Sequence, residues 1–407
     1  MSKLPVDLVC DIYSPSGYSN HAREIIRAIH GLVDLRIVDH KHDRTSVQLD
    51  SMEAPLFRSL EEKTRKADVR IQFETPEFFQ PVPDVVNIGF TEWETTRIPD
   101  TDYKGSERNN WVKQMNLMDG MLTSCASAAK AFVDTGVKVP ICHFLGPVNT
   151  DMHSPAMPEL AIEGLTVDSG GVFIPRDKRP LVVGMVAQWT LRKNIEDFLI
   201  TLASRFKRDE IWILLKTYGS VMDQAHSKVI EKQASDILSW VKNPDAPQVT
   251  LVTEKLSDAE MAQLYSVMDV YVSTSRGEGF CLPVAQAMST GVIPVVCGFS
   301  APGEYVDHGI NGYVLPYQLR PAVGMVHNPW YRADQSWADV DCMMLEQTLK
   351  ELIKLRNEPP AIDRAWDVMK AAARAAAQNK FSYDVTGQRM MMAIKGIMQC
   401  VRPGITV

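Results

Sequence analysis

The stretch VYVSTSRGEGFCLPVAQAMSTGVIPVV, Val270 to Val296, places a glycine-flanked carboxylate, Glu278, between two apolar runs. The first run, VYVSTS, and the last, IPVV, read as short buried strands. Pro283 suits the first turn of a helix, where its missing N–H is not needed, and Gly291 suits the residue just beyond the last turn. The spacing predicts a helix over 282–290. The loop Gly277 to Cys281 then ends on free backbone N–H groups at the positive end of a helix, a setting that favours a phosphate. Gly279 would let a ligand approach the backbone closely. Glu278 cannot itself hold a phosphate; beside a bound anion it is suited to accepting hydrogen bonds from sugar hydroxyls. Gln286, about one turn into the helix, could reach the same ligand from the side. The residues alone leave equal room for a Glu that merely caps the helix.

Strand, loop, helix, strand is the repeating unit of a parallel sheet, and the same grammar extends in both directions. Apolar runs recur at VDLVCDIY, LRIVDH, VRIQFE, VVNIGF, GMLTSC and ICHFLG in the first half. They recur at LVVGMVAQ, IWILLKTYG, VTLVTE, VYVSTS, IPVVCGF and GYVLP in the second. Ala22, Ile25, Ile26 and Ile29 mark the apolar face of a helix after the first run. Between the two sets, MHSPAMPELAIEGLTVDSGGVFIPRDKRP has Pro and Gly clusters and reads as a linker with a short edge element. YQLRPAVGMVHNPWYRADQSWADVD is too long for an ordinary connection and is expected to be a surface insertion, with function or as a lid. From about Asp363 the chain is Ala-rich and helical in period. The expected fold class is α/β, with two Rossmann-like parallel-sheet domains over residues 1–170 and 178–380. A last helical segment is expected over 381–407.

At 407 residues the chain exceeds a single hydrophobic core, and its 45% hydrophobic and 23% charged residues are ordinary for a globular protein. A net charge of −7 argues against a generally basic nucleic-acid or membrane surface. Glu61 to Arg70, EEKTRKADVR, is the best local basic candidate and reads more simply as a solvated, mixed-charge helix face. Seven scattered cysteines without a C-x-x-C pair imply free thiols in a reducing compartment. The N-terminus is too short in its apolar part for a signal peptide, and no run approaches a membrane span. A cytoplasmic protein is expected. DVD, Asp339 to Asp341, has the D-x-D form of some metal sites but reads as a solvated turn; no metal site is expected.

The segment EGFCLPVAQAMSTGVIPVV resembles the E-x7-E signature of retaining GT-B glycosyltransferases of family 4, the glycosyl transferases group 1. GEYVDHGINGYVLP is similar to the segment after that helix, and VGMVAQWTLRKNIEDFLITLASRF to the family's donor-phosphate region. GFTEWETTRIP and LGPVNTDMHSP look like E-T-x-x-x-P and P-N-G-V-D elements of a subset. The resemblance implies the GT-B fold with the last helical segment, 381–407, crossing back to the first domain, a nucleotide-sugar donor linked to UDP or GDP, a hydroxyl acceptor, by default a saccharide, and retention of configuration without a metal or other cofactor. It assigns Arg192 and Lys193 to the donor diphosphate and Glu278 to the donor sugar. The backbone of Gly279, Phe280, Cys281 and Leu282 forms the phosphate-facing loop. Gln286 stands where the family has its second, ribose-binding Glu, a departure that puts full activity and nucleotide preference in question.

In the first half, SPSGYSNHAREIIRAI corresponds to the loop where donor and acceptor meet. There Gly17 gives the turn, Ser19 or Asn20 is expected to cap the helix, and Tyr18 faces the acceptor side. A plain strand–helix turn is the simpler alternative. Where many relatives present a His, this chain offers Glu92 and Glu94, which read equally well as a capping cluster at a helix start; His21 and His143 are alternatives. Three other functions compete. One is transfer to a modified nucleic-acid base, left open by Glu61–Arg70 and by HKHDRTS. Another is a degenerate GT-B scaffold, and the weakest is a nucleotide-sugar epimerase. Oligomeric state is not readable.

Overall fold

The computed structural model describes residues 3–14, 16–39, 53–219, 223–325, 328–359, 361 and 363–402. The HKHDRTS segment lies outside the described residues. The first half runs β1 (Pro5–Cys10), α1 (Gly17–Ile29), β2 (Asp34–Asp39), α2 (Ala54–Glu61), β3 (Val69–Phe73), β4 (Val86–Phe90), α3 (Trp111–Met115), β5 (Gly120–Thr123), α4 (Ala126–Thr135) and β6 (Ile141–His143). These strands form one parallel sheet in the order β2-β1-β3-β4-β5-β6. The second half runs β7 (Leu181–Gln188), α5 (Ile195–Arg205), β8 (Ile211–Tyr218), α6 (Gln224–Ser239), β9 (Gln248–Val252), α7 (Asp258–Val267), β10 (Val270–Ser273), α8 (Leu282–Ser289), β11 (Ile293–Cys297), α9 (Ala301–Tyr305) and β12 (Tyr313–Leu315). Its parallel sheet has the order β12-β11-β10-β7-β8-β9. The reversal of strand order between β10 and β7 is a topological switch point, where open sheets of this kind bind ligands at the carboxyl ends of the strands.

Each expected apolar run is a strand, because a parallel strand covered on both faces needs apolar residues at consecutive positions. Ala22, Ile25, Ile26 and Ile29 of α1 are fully buried. The rest of the chain is β13 (Tyr317–Pro321), β14 (Ser336–Val340), α10 (Cys342–Asn357), α11 (Ala365–Phe381) and α12 (Tyr383–Val401). α11 packs on α8, whereas α12 packs on α1. Met390, Ile394, Ile397 and Met398 of α12 are buried with Val6, Leu8 and Ile29 in the first sheet's core. Gly387 comes so close to α1 that a Cβ there would stand 2.5 Å from the Ala28 carbonyl oxygen.

Several local expectations are corrected. Within the insertion β13 and β14 pair as an antiparallel ribbon, an element its sequence pattern had not marked. Asp339 and Asp341 do not form a solvated turn: Asp339 pairs with Arg276 and Arg320, and Asp341 caps α10 by accepting from Met343 and Met344. Glu61 ends α2, and the segment that follows is an extended connection, not a helix face. Two of its cations are paired beside the sheet, Lys63 with Asp34 and Arg65 with Asp7 and Asp34. α1 starts three residues earlier than a Ser19 cap would set it; Ser16 is the cap, accepting from the Ser19 N–H, and Gly17 is helical. The linker forms isolated bridges only, with no strand among its residues.

Candidate active site

The loop of the opening stretch is enclosed along its length: Tyr271 through Cys281 are buried. Glu278 is 5% exposed. Its carboxylate faces the turn that follows β7, where Lys193 Nζ donates to Oε1 at 2.5 Å and Arg192 Nη1 donates to Oε2 at 3.2 Å. Arg192 Nη1 also donates to the Gly277 carbonyl at 2.6 Å. Burial on its own would raise the Glu278 pKa, but Lys193 and then Arg192 outweigh it and hold the carboxyl down at about 2. It is ionised at every physiological pH. The alternative of a helix cap is excluded, since the side chain accepts from cations and the α8 start has no side-chain cap.

Three of the five described non-glycine residues with positive φ border this carboxylate: Asn194 (53°), Cys281 (64°) and Ser300 (63°). Each left-handed residue costs about 1–3 kcal/mol and persists only where its surroundings fix it. Here the fixing contacts are visible. Thr274 Oγ1 donates to the Asn194 carbonyl at 2.9 Å, Tyr305 Oη donates to the Phe280 carbonyl at 2.9 Å, and Ser300 Oγ accepts from the Glu278 N–H at 2.8 Å. The cationic turn is held from behind by Arg276, whose N–H donates to the Arg192 carbonyl at 2.8 Å and whose Nε donates to Asp339 of β14 at 2.6 Å. The ribbon thus braces the site, which local sequence could not reveal.

The first domain closes directly onto this loop. A Cβ on Gly277 would lie 1.9 Å from the Glu94 carbonyl oxygen, and one on Gly279 would lie 2.6 Å from Glu92 Cβ. The close approach that Gly279 permits is therefore made by the protein's own chain in this structure. Glu94 Oε1 is 3.0 Å from Arg192 Nε and accepts from the Tyr331 hydroxyl. Glu92 accepts from Ser124 Oγ at 2.5 Å and from the Ser124 N–H at 3.3 Å, and lies 3.5 Å from His21 Nδ1. Neither Glu starts a helix, so the capping alternative for this pair is overturned. Burial dominates Glu92 and, against the Ser124 hydrogen bonds, raises its pKa to about 7. Burial also lowers His21 to about 3 and keeps it neutral. The His21 ring stacks on Phe280 of the loop, centroids 5.3 Å apart, while His143 lies exposed at the sheet edge.

Tyr18 donates to or accepts from Thr91 Oγ1 at 3.0 Å and accepts from the Glu92 N–H at 3.1 Å, which locks the residue before the Glu pair. Gly17 has open space around its α-carbon. Cys281 is the left-handed residue before α8, and Leu282 opens the helix. Gln286 Oε1 accepts from Tyr265 Oη at 2.9 Å. Residues that the sequence reading missed are Tyr331, Ser300 and Arg276; the one available signal was the unusual density of Trp and Tyr in the insertion. Trp330 packs against Trp111, and Tyr331 stacks on Trp93 at 5.6 Å. Arg332 bonds Asp100 at 2.6 Å. Among the described residues no cluster of three or more His, Cys, Asp or Glu could hold a metal ion, and no helix is long and apolar enough to cross a membrane.

Residues 173–320 match the family described as Glycosyl transferases group 1. A UDP-N-acetylglucosamine–peptide N-acetylglucosaminyltransferase GtfA subunit of Streptococcus pneumoniae is 38% identical over 61 residues, 14% of this chain and 12% of that protein. The matched stretch is thus a small part of that relative's length. Among solved structures, Anabaena Alr3699/HepE in complex with UDP and glucose aligns with TM-score 0.63 at 13% identity, over 97% of this chain and 100% of that one. Sucrose-phosphate synthase from Thermosynechococcus elongatus aligns with TM-score 0.64 at 13% identity, over 98% and 100%. The fold is GT-B.

Proposed function

From a chain whose residues 173–320 are a glycosyl transferases group 1 domain on a GT-B fold, we propose a nucleotide-sugar-dependent glycosyltransferase that moves a hexose to a hydroxyl acceptor with retention. The observation that carries this reading is Glu278, a buried carboxylate held ionised by Arg192 and Lys193 at the mouth of α8. Two cations fixed on a rigid turn match a diphosphate and the charge it gains as it departs. The bond from the sugar C1 to the diphosphate oxygen breaks while the bond from C1 to the acceptor oxygen forms on the same face. The acceptor proton passes to the leaving phosphate. Glu278 is released from its cations by the incoming diphosphate and turns to accept from sugar hydroxyls. Glu94 occupies Arg192 until then, and its displacement accompanies donor binding. With Arg192 and Lys193 supplying the positive charge, activity is expected to survive EDTA.

UDP is the preferred donor nucleotide over GDP, supported by HepE, crystallised with UDP and glucose, and by the UDP-linked sugar in the GtfA subunit's name. A saccharide hydroxyl is the preferred acceptor. Transfer to a nucleic-acid base is disfavoured because Lys63 and Arg65 are already paired. Seven free cysteines support a reducing, cytoplasmic setting. Thermal stabilisation by UDP, GDP and ADP tests the reading, followed by slow hydrolysis of the matching sugar nucleotide. A ligand at 100 times its Kd adds about 2.7 kcal/mol. A shift with UDP that disappears in Arg192→Ala is expected. No shift with any nucleotide would leave a degenerate scaffold as the better description.

A further inference from the structure

β8 carries a lysine where its neighbours are apolar. Lys216 is paired in register with Val186 on β7 and Val252 on β9. It shares a strand face with Leu214, which packs in the same core as Leu264, Tyr265, Tyr271 and Val284. That is the face covered by α7 and α8, the side on which Gln286 stands. Lys216 is 4% exposed. Its ammonium has climbed along the strand to the level of the Thr217 carbonyl, to which it donates at 3.3 Å, and lies 5.8 Å from the Tyr218 ring centre. No carboxylate among the described residues is within ion-pair distance of it. An ammonium with three donors, one long hydrogen bond and no carboxylate in direct contact is costly to bury, and a Met of similar length would fit these surroundings without that cost. Burial pulls its pKa down to about 8, against the pull of Glu254.

The surroundings say where an acceptor for this ammonium would come from. Tyr218 ends β8 beside the end of β7, its carbonyl accepting from the Trp189 N–H at 2.8 Å, three residues before Arg192, and Tyr265 of α7 lies in the core that Leu214 enters. Tyr265 in turn bonds Gln286. Diphosphate site, aromatic ring, ribose-side amide and buried ammonium therefore lie in one neighbourhood at the carboxyl edge of the sheet, beside the switch point. We propose that Lys216 reads the base of the donor nucleotide and selects uracil, with the Tyr218 ring as the surface on which the base lies. An ammonium only donates, so it rewards the O4 carbonyl of uracil and opposes the N4 amino group of cytosine, which also only donates. This rests on the donor-binding reading above and gives it a base.

UDP and CDP differ at the base only in that edge, and titration of the full chain with each, in wild type and Lys216→Met, is the test. Wild type is expected to bind UDP about 10- to 100-fold more tightly than CDP, the range for losing a charged hydrogen bond and meeting a donor instead. Lys216→Met, which keeps the length and should raise the stability of the free protein, is expected to bring the two nucleotides within about threefold. Lys216→Gln, whose amide can donate or accept, is expected to fall between. An unchanged ratio in folded Lys216→Met overturns the inference. So does a wild type that binds both equally, a result that does not depend on any variant; if that binding is lost in Arg192→Ala, the donor reading survives alone. Failure of wild type to bind either nucleotide overturns both.

Discussion

Gly277→Ala adds one methyl group where the two domains touch, and its effect can be worked out from the contact. The new carbon would stand 1.9 Å from the Glu94 carbonyl oxygen and 3.0 Å from its carbon. Ordinary contacts begin near about 3.5 Å, so the loop carrying Glu94 has to retreat by about 1.5 Å. The obstructing atom is backbone and cannot rotate aside. Gly277 does not have a positive φ, so alanine fits the second domain on its own and the cost falls on closure alone. Overpacking of this kind costs about 1–3 kcal/mol, with the upper end expected here because the Arg192–Glu94 pair must open too. Gly279→Ala meets the Glu92 side chain, 2.6 Å from its Cβ, and should cost less because a side chain can yield. Denaturant unfolding gives the energies, and small-angle scattering gives the opening as a larger radius of gyration. If Gly277→Ala unfolds within about 0.5 kcal/mol of wild type with an unchanged scattering curve, the closed contact is not the solution structure.

Glu92→Gln should flatten the pH dependence of stability. With its folded pKa raised to about 7 from 4.5, the stability linked to Glu92 is complete below pH 4.5 and is lost as pH rises through about 7, at most about 3 kcal/mol. The quantity to compare is the difference in melting temperature between the two proteins from pH 5 to 8, so that the opposite trend of buried His21 largely cancels; parallel curves would refute the burial account. Glu94→Gln removes an anion that competes for Arg192 and should tighten UDP binding severalfold by calorimetry; weaker binding would mean that Glu94 helps hold the donor. Arg332→Ala removes the bonds to Asp100 and Thr101 that tie the insertion to the first domain. It should raise protease sensitivity around residues 328–335 more than it lowers the melting temperature, and equal sensitivity would show that the aromatic contacts suffice.

The sequence made the sheets legible because each strand's requirement is local: a run covered on both faces must be apolar along its whole length. The carboxylate loop was legible for a related reason, since Pro283, Gly291 and the two glycines around Glu278 each state a backbone condition. What could not be seen were contacts whose two halves lie far apart in the chain. Glu94 meets Tyr331 only because the ribbon folds over the cleft, and nothing near either residue announces the other. The strands of that ribbon are short and half polar, and Pro321 ends one of them, so their pattern is weak. Ser16 displaced Ser19 as the helix cap by local competition, which propensity ranks too coarsely to decide. Lys216 was hidden inside an otherwise strand-like run.

The crossing of α12 back to α1 has a consequence for how the molecule is made. Ile397 fills the space over Gly120 so closely that a Cβ there would come within 2.6 Å, and Ile394 and Met398 seal the same core. The domain that leaves the ribosome first therefore lacks a wall until residue 398 has emerged. During the whole synthesis of the second domain, at about 5–20 residues per second, its apolar floor stays uncovered. A nascent chain of this protein spends on the order of ten seconds or more with an unfinished first half while the second is being made, the interval in which a chaperone would find it.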